Sequence, residues 1–94
     1  MGTFHPHAHA LHGITCVALG RGATTWVGRV DTVEDGRVIL LDVDVHDAAA
    51  APLPRADWLE KAARVGHWPR HPRVAVALDD VESLRPLAEY ATKP

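Results

Sequence analysis

Thr25-Trp26-Val27-Gly28-Arg29-Val30-Asp31-Thr32-Val33-Glu34, then Asp35-Gly36, then Arg37-Val38-Ile39-Leu40-Leu41-Asp42-Val43-Asp44-Val45-His46 is the stretch that decides the fold. Two runs rich in β-branched residues flank an Asp-Gly pair. A type I′ turn needs positive φ at both central positions, and Asp-Gly suits it, so the stretch reads as a β-hairpin. With Asp35 and Gly36 as the loop, Trp26 is expected to face Val45, Val30 to face Leu41, and Thr32 to face Ile39. Val43 joins this apolar face, with Gly28 opposite it. On the other face Arg29 lies opposite Asp42, and Glu34 meets Arg37 beside the turn. Opposite charges across a strand pair contribute roughly 0.2–1 kcal/mol each. A slip of one residue would invert every side chain. Glycine inside such a strand marks a bend or a close backbone approach, and Gly28 is read that way.

Upstream, Ile14 to Leu19 is a short β-branched run bounded by Gly13 and by Gly20-Arg21-Gly22, a strand followed by a loop. Residues 1–12 show neither strand nor helix period. They are expected to form a flexible His-rich arm, leaving 13–94 as one small domain. Downstream, Pro54 suits the first turn of a helix and Gly66 its end, so a helix is expected over about 54–65. Trp58, Ala62 and Val65 share a stripe, with Leu59 and Ala63 beside it. Asp57–Lys61 and Glu60–Arg64 are spaced as i,i+4 pairs. His67 to Pro72 is a loop stiffened by Pro69 and Pro72. Val74 to Leu78 reads as a strand with Val74, Val76 and Leu78 on one side. Asp79 to Leu84 then turns, and Pro86 prevents one uninterrupted helix here, so a 3₁₀ turn or a short strand is expected, then a short helical or frayed tail.

A chain of 94 residues with 47% apolar side chains supports one core and not two. The formal charge of −2 gives no general case for nucleic-acid binding. The charge is uneven, however. Residues 31–50 carry five Asp and one Glu against Arg37, whereas 51–75 are basic. The acidic hairpin and the basic stretch are placed to attract each other, within one molecule or between copies. No apolar run approaches the ~20 residues of a membrane span. The N-terminus reads as lacking a secretion leader. A single cysteine, Cys16, excludes an internal disulfide framework and suits a reducing cytoplasm.

Trp26-Val27-Gly28-Arg29-Val30-Asp31-Thr32-Val33-Glu34 followed by Val38-Ile39-Leu40-Leu41-Asp42 resembles the first motif of Sm-like proteins, which are small SH3-like barrels. Val74 to Leu84 is similar to a closing strand and turn of such barrels. The resemblance covers about half the chain. It implies a mainly β (α+β) fold, an antiparallel barrel of four to five strands, here with one inserted helix. The family implies ring oligomers and RNA binding. The Asn that reads a base in RNA-binding Sm proteins is absent, and Arg37 stands near its place. The Arg-Gly strand of the second motif is also absent, and the turn is about one residue short. The barrel is therefore carried over and the RNA site is not.

Among chemistry-bearing residues, His5, His7, His9 and His12 form the most conspicuous cluster, and His-rich tracts bind transition metals. An arm must lose conformational entropy to wrap a metal, so the tract reads as a loosely chelating tail. A specific site would need ligands from the body, with His46, Asp47, His67 and His71 as candidates, but no spacing matches a zinc framework. No other cofactor is expected. Cys16 reads as a small core hydrophobe. Asp42, Asp44, Asp47, Asp79 and Asp80 are the carboxylates a hydrolase would use, and they read first as a solvated face with Asp42 paired to Arg29. Gly20-Arg21-Gly22 is too short for a phosphate loop, and Ser83 is the only serine, so an enzyme is not expected.

Trp58 reads as core. Trp68 and Arg70, with His71 and Arg73, are the expected protein interface, because Trp and Arg are enriched at hot spots. For RNA the corresponding candidates are Arg37, Trp68 and Arg70, since aromatics interleaved with cations stack bases. The expected function is a non-catalytic binding or assembly module in the cytoplasm. It would act through protein association as a homo-oligomer or accessory subunit. An Sm-like RNA-binding protein and a metal-handling protein using the histidine arm are the alternatives.

Overall fold

The computed structural model describes residues 10–91. Five antiparallel strands, β1 (Thr15–Gly20), β2 (Thr24–Glu34), β3 (Arg37–Asp47), β4 (His71–Ala77) and β5 (Val81–Pro86), form one sheet in the order β4-β3-β2-β1-β5. Helix α1 (Arg55–Val65) lies between β3 and β4 in sequence. A 3₁₀ turn, Leu78–Asp80, links β4 to β5, and a second, Leu87–Tyr90, follows β5. The mainly antiparallel architecture with one inserted helix is the expected one. Its closure is not: among the described residues β4 and β5 do not pair, so the sheet is bent but open.

The hairpin turn forms as its chemistry dictates, with φ of 52° at Asp35 and 72° at Gly36. Glu34 meets Arg37, Thr32 meets Ile39 and Trp26 meets Val45. Between these points the register departs from expectation: Val30 pairs with Leu40 and Arg29 with Leu41. Two bulges account for this. One inserts Asp31 into β2 and shifts the pairing by one residue. The other inserts a residue of β3 at Asp42, whose φ is +53°, and restores it. Aspartate tolerates this left-handed conformation better than most residues.

Each bulge inverts the side chains beyond it, and the physical reason is burial. An unbulged hairpin would place Thr32, Ile39 and Leu41 on the core face. With the bulges, Thr32 turns to solvent, while Val33, Val38 and Leu40 join Val30, Val43, Trp26 and Val45. Val30, Val38, Leu40 and Val43 are essentially inaccessible, and burying such side chains contributes roughly 1.5–3 kcal/mol each. The Arg29–Asp42 ion pair still forms at 3.1 Å across the bulge. Both its side chains are about half exposed, and such pairs contribute about 0–1 kcal/mol. Apolar burial therefore sets the register, and the ion pair adapts to it.

The sheet carries a packed side chain layer on each face. Cys16, Ala18, Val30, Val38, Leu40, Val43, Val76, Leu78, Val81 and Leu84 fill the concave side. Val17 and Val27 point the other way, where Leu59 and Ala62 of α1 and Leu87 cover them. Gly28 sits pressed against the neighbouring strand β3. A Cβ there would stand 2.9 Å from Val43 Cγ2 and 3.0 Å from the Leu41 carbonyl oxygen. The close approach read from the sequence is present.

Pro54 caps α1 at its start and Gly66 ends it, with the Gly66 N–H donating to Ala62 O at 2.8 Å. Glu60–Arg64 forms at 2.9 Å, and Val65, expected in the buried stripe, is 63% exposed. Leu11 packs against the concave core, Gly13 N–H donates to Val30 O, and His12 Nδ1 meets the Asp31 carbonyl. Leu11 and His12, read as part of the arm, are thus docked on the β2 bulge. Ile14, expected to open the first strand, is exposed just before β1.

Candidate functional site

Beyond the Asp42 bulge, β3 alternates. Val43 and Val45 face the concave core, and Asp44 and His46 face α1. Period-two alternation makes this unavoidable once Val43 is buried. Both polar side chains end up covered, Asp44 at 6% and His46 at 3% exposure. Burial of a polar group without a partner is costly, so the partners matter. His46 Nε2 donates to the Leu53 carbonyl at 2.7 Å, and its ring stacks obliquely on Trp58 with centroids 5.0 Å apart. His46 Nδ1 is buried without a hydrogen bond, as is Thr25 Oγ1 on the residue directly across the strand pair.

Asp44 Oδ1 accepts the Val45 N–H at 2.9 Å and lies 3.1 Å from Arg70 Nε. The carboxylate is almost buried, whereas the Arg70 side chain is 62% exposed. The acidic hairpin and the basic loop therefore meet within one molecule. His67 fixes the loop from its other end, donating from Nε2 to the Asp42 carbonyl at 2.6 Å. Between this loop and α1 lies a cleft of about 520 Å³ whose walls include Asp44, Trp58, Lys61, Val65, Trp68 and Arg70. Trp68 is 66% exposed at its rim.

Trp68 and Arg70 line the same cleft. His71 and Arg73 do not line it. They lie on exposed positions of β4, paired with Val43 and Leu41. Arg37 is at the far end of β3, opposite Ala77, seven residues from Asp44. At about 3.3 Å per residue that is roughly 20 Å, so Arg37 does not line the cleft that holds Trp68 and Arg70. Of the histidine cluster, His5, His7 and His9 lie outside the described residues. Among the described residues no three His, Cys, Asp or Glu side chains converge as metal ligands. The carboxylates are dispersed on structural duties: Asp42 on Arg29, Asp44 on Arg70, and Asp47 on the Ala49 N–H. Asp79 and Asp80 sit in the 3₁₀ turn, where the Asp79 carbonyl accepts from Arg21 Nε at 2.9 Å.

Cys16 is buried, and desolvation pushes its thiol up to about 11, with Glu89 adding a smaller push. Lys61 and Val65 belong to the cleft without having been singled out in the sequence. The sequence pattern puts Val65 in the buried stripe and Lys61 in a pair with Asp57. The available signal was Asp44 itself, an acid alternating with valines on a strand. Among the described residues no helix is long and apolar enough to cross a membrane.

No protein-family model and no curated protein sequence matches this chain. Solved structures do. An Sm protein of Pyrococcus abyssii in complex with a uridine heptamer is similar at 12% identity and a TM-score of 0.59, over 86% of this chain and 93% of that one. A Sm-like archaeal protein from Pyrobaculum aerophilum is similar at 10% identity and a TM-score of 0.55, over 95% of this chain and 51% of that one. A heptameric archaeal Sm protein is similar at 10% identity and a TM-score of 0.53, over 86% and 96% respectively. The likeness extends over most of the chain, and the fold is Sm-like.

Proposed function

We propose, from the Sm-like fold and its two open sheet edges, that this chain is a non-catalytic assembly subunit that associates with copies of itself. The observation that carries the reading is the strand order β4-β3-β2-β1-β5, which leaves β4 and β5 each with one side unpaired. An unpaired edge is a template for another strand. Two different edges on one chain make a head-to-tail contact, which closes into a ring when the rotation permits. That one similar structure is described as heptameric supports the same reading.

The hydrogen-bonding sense of the β4 edge follows from the hairpin. In a two-residue hairpin the closing pair, Glu34 and Arg37, exchanges both backbone bonds. Alternation then turns the N–H and C=O of Val38 and Leu40 toward β4, onto Val76 and Val74. The Leu78 N–H donating to Gly36 O continues this series. Arg73, Ala75 and Ala77 therefore present their backbone groups to the free edge. His71 and Arg73, part of the interface anticipated from sequence, belong to this edge. Trp68 and Arg70 flank it. A reducing cytoplasmic location fits the single buried thiol.

RNA binding is the second reading, favoured by the likeness to an Sm protein bound to a uridine heptamer. Here Glu34 and Asp35 flank Arg37 at the hairpin tip, and the Leu78 N–H on Gly36 O seats the Asp79-Asp80 turn, which Arg21 bonds, beside that tip. That charge opposes a phosphate backbone, so assembly stands first.

The test is sedimentation of wild type and of Ala75→Pro. Proline removes the outward donor at the free edge and leaves the β3–β4 bonds intact. Wild type should sediment as one oligomer and the folded variant as a monomer. An unchanged oligomer in Ala75→Pro would overturn the edge reading. Salt-sensitive, tight binding of a uridine oligomer by wild type would promote the RNA reading over it.

A further inference from the structure

We propose that the cleft between α1 and the His67–Arg70 loop is a nucleotide site that prefers guanine. This inference goes beyond the assembly reading and rests on a cleft contained within one chain. Its volume, about 520 Å³, lies in the range of small-ligand sites.

Three features define the chemistry of its occupant. The first is aromatic. The indoles of Trp58 and Trp68 both border the cleft, and Trp68 is two-thirds exposed on a loop stiffened by Pro69 and held by the His67–Asp42 bond. Nothing in the core needs this side chain. A rigid indole presented to water is a stacking platform for a planar ring.

The second feature is the charge balance. Lys61 and Arg70 outnumber Asp44 in the lining, and Lys61 makes no ion pair among the described residues. The expected Asp57–Lys61 pair is not formed, so its ammonium is available to an anion. A cationic or peptidic amine ligand would meet this excess unfavourably, whereas a phosphate would satisfy it.

The third feature is Asp44. Its carboxylate sits in the cleft wall almost out of water, and its recorded bonds use Oδ1 only. Oδ2 accepts no hydrogen bond among the described residues. A carboxylate oxygen left free in a cleft wall selects for N–H donors on its ligand. Guanine carries adjacent N1–H and N2–H donors on one edge. Uracil offers a single N–H between two carbonyl oxygens, which the carboxylate repels. The cleft thus combines stacking surface, phosphate cation and base-edge acceptor in one concavity.

The experiment is isothermal titration of the intact protein with GMP, UMP and a single-stranded RNA tetramer ending in guanosine. GMP should bind saturably and at least about tenfold more tightly than UMP, the discrimination of one good base-edge contact. Trp68→Leu should weaken GMP by about tenfold, the size of one base–aromatic stack. Lys61→Ala, at an exposed helix position, tests the phosphate contact without threatening the fold. Asp44→Asn should erase the preference for GMP over UMP, with circular dichroism confirming that the variant is folded. A tetramer that binds more tightly than GMP identifies an RNA end as the source, and equal affinities identify a free nucleotide. No saturable binding of either, equal affinity for GMP and UMP in wild type, or indifference to both Trp68→Leu and Lys61→Ala overturns the proposal. Ala75→Pro should retain full GMP affinity, which separates failure of this site from failure of the assembly reading.

Discussion

Replacing Gly28 with alanine tests the bulged hairpin most sharply. The new Cβ would lie 2.9 Å from Val43 Cγ2, 3.0 Å from the Leu41 carbonyl oxygen and 3.1 Å from Leu40 Cβ. Real contacts are rarely below about 3.4 Å, and close-packed interiors have little room to yield. The Val43 methyl can rotate away. The Leu41 carbonyl and Leu40 Cβ cannot, because the Asp42 bulge fixes the backbone that carries them. Overpacking of this kind costs about 1–3 kcal/mol. Alanine also restricts the unfolded chain, which returns about 0.4–1 kcal/mol. The net loss is about 1–2 kcal/mol. For a domain near 100 residues each kcal/mol lowers Tm by about 4–8 °C, so Gly28→Ala should melt roughly 5–15 °C below wild type. Thermal unfolding followed by circular dichroism, at matched chain concentration, measures this. A variant melting at or above wild type would refute the close approach, and with it the register drawn here.

Gly36→Val should also lower Tm, by the equivalent of about 1–2 kcal/mol, because φ of 72° there is costly for a β-branched residue although open space surrounds the site. Leu11→Ala should cost about 1 kcal/mol in urea titration, since its side chain is only partly buried against the core. An unchanged midpoint would show that Leu11 is not docked. Cys16 should resist alkylation at pH 8 except through unfolding, because burial raises its thiol from an ordinary 9.0 to about 11. The sign follows from linkage: the folded state holds this proton more tightly. The stabilising contribution is thus full below pH 9 and lost as pH rises toward about 11. Stability that rises across this interval would contradict the burial of the thiol.

The parts of this fold legible in the sequence are those fixed by local chemistry. Asp35-Gly36 specified the turn, and Pro54 and Gly66 bracketed the helix, because each acts through its own backbone preferences. The register between Trp26 and Thr32 was not legible from strict alternation. Val38-Ile39-Leu40-Leu41 is apolar at every position, so period two carries no information about which face is inward. The choice is made by Val33 against Thr32 across the strand, which only the paired structure displays. Asp31 and Asp42, polar residues interrupting apolar strands, were the available markers of the two bulges.

The site divides the same way. Trp68 and Arg70 were visible as exposed-type residues on a proline-stiffened loop. Their partner Asp44 read as a solvated carboxylate, because nothing local announces that the loop folds back over β3. That contact spans 26 residues of chain, a separation that no local pattern bridges. His71 and Arg73 fell to the sheet edge for the same reason: the strand begins at His71, three residues earlier than the apolar run suggests.

The most direct test of the central claim is the native mass of the protein, wild type beside Ala75→Pro, measured by mass spectrometry from a non-denaturing buffer. Edge-to-edge assembly predicts a single closed oligomer for wild type, at an integral multiple of the chain mass, and a monomer for the folded variant. A wild-type protein that remains monomeric at cellular concentration, or a variant that keeps the wild-type mass, would contradict it.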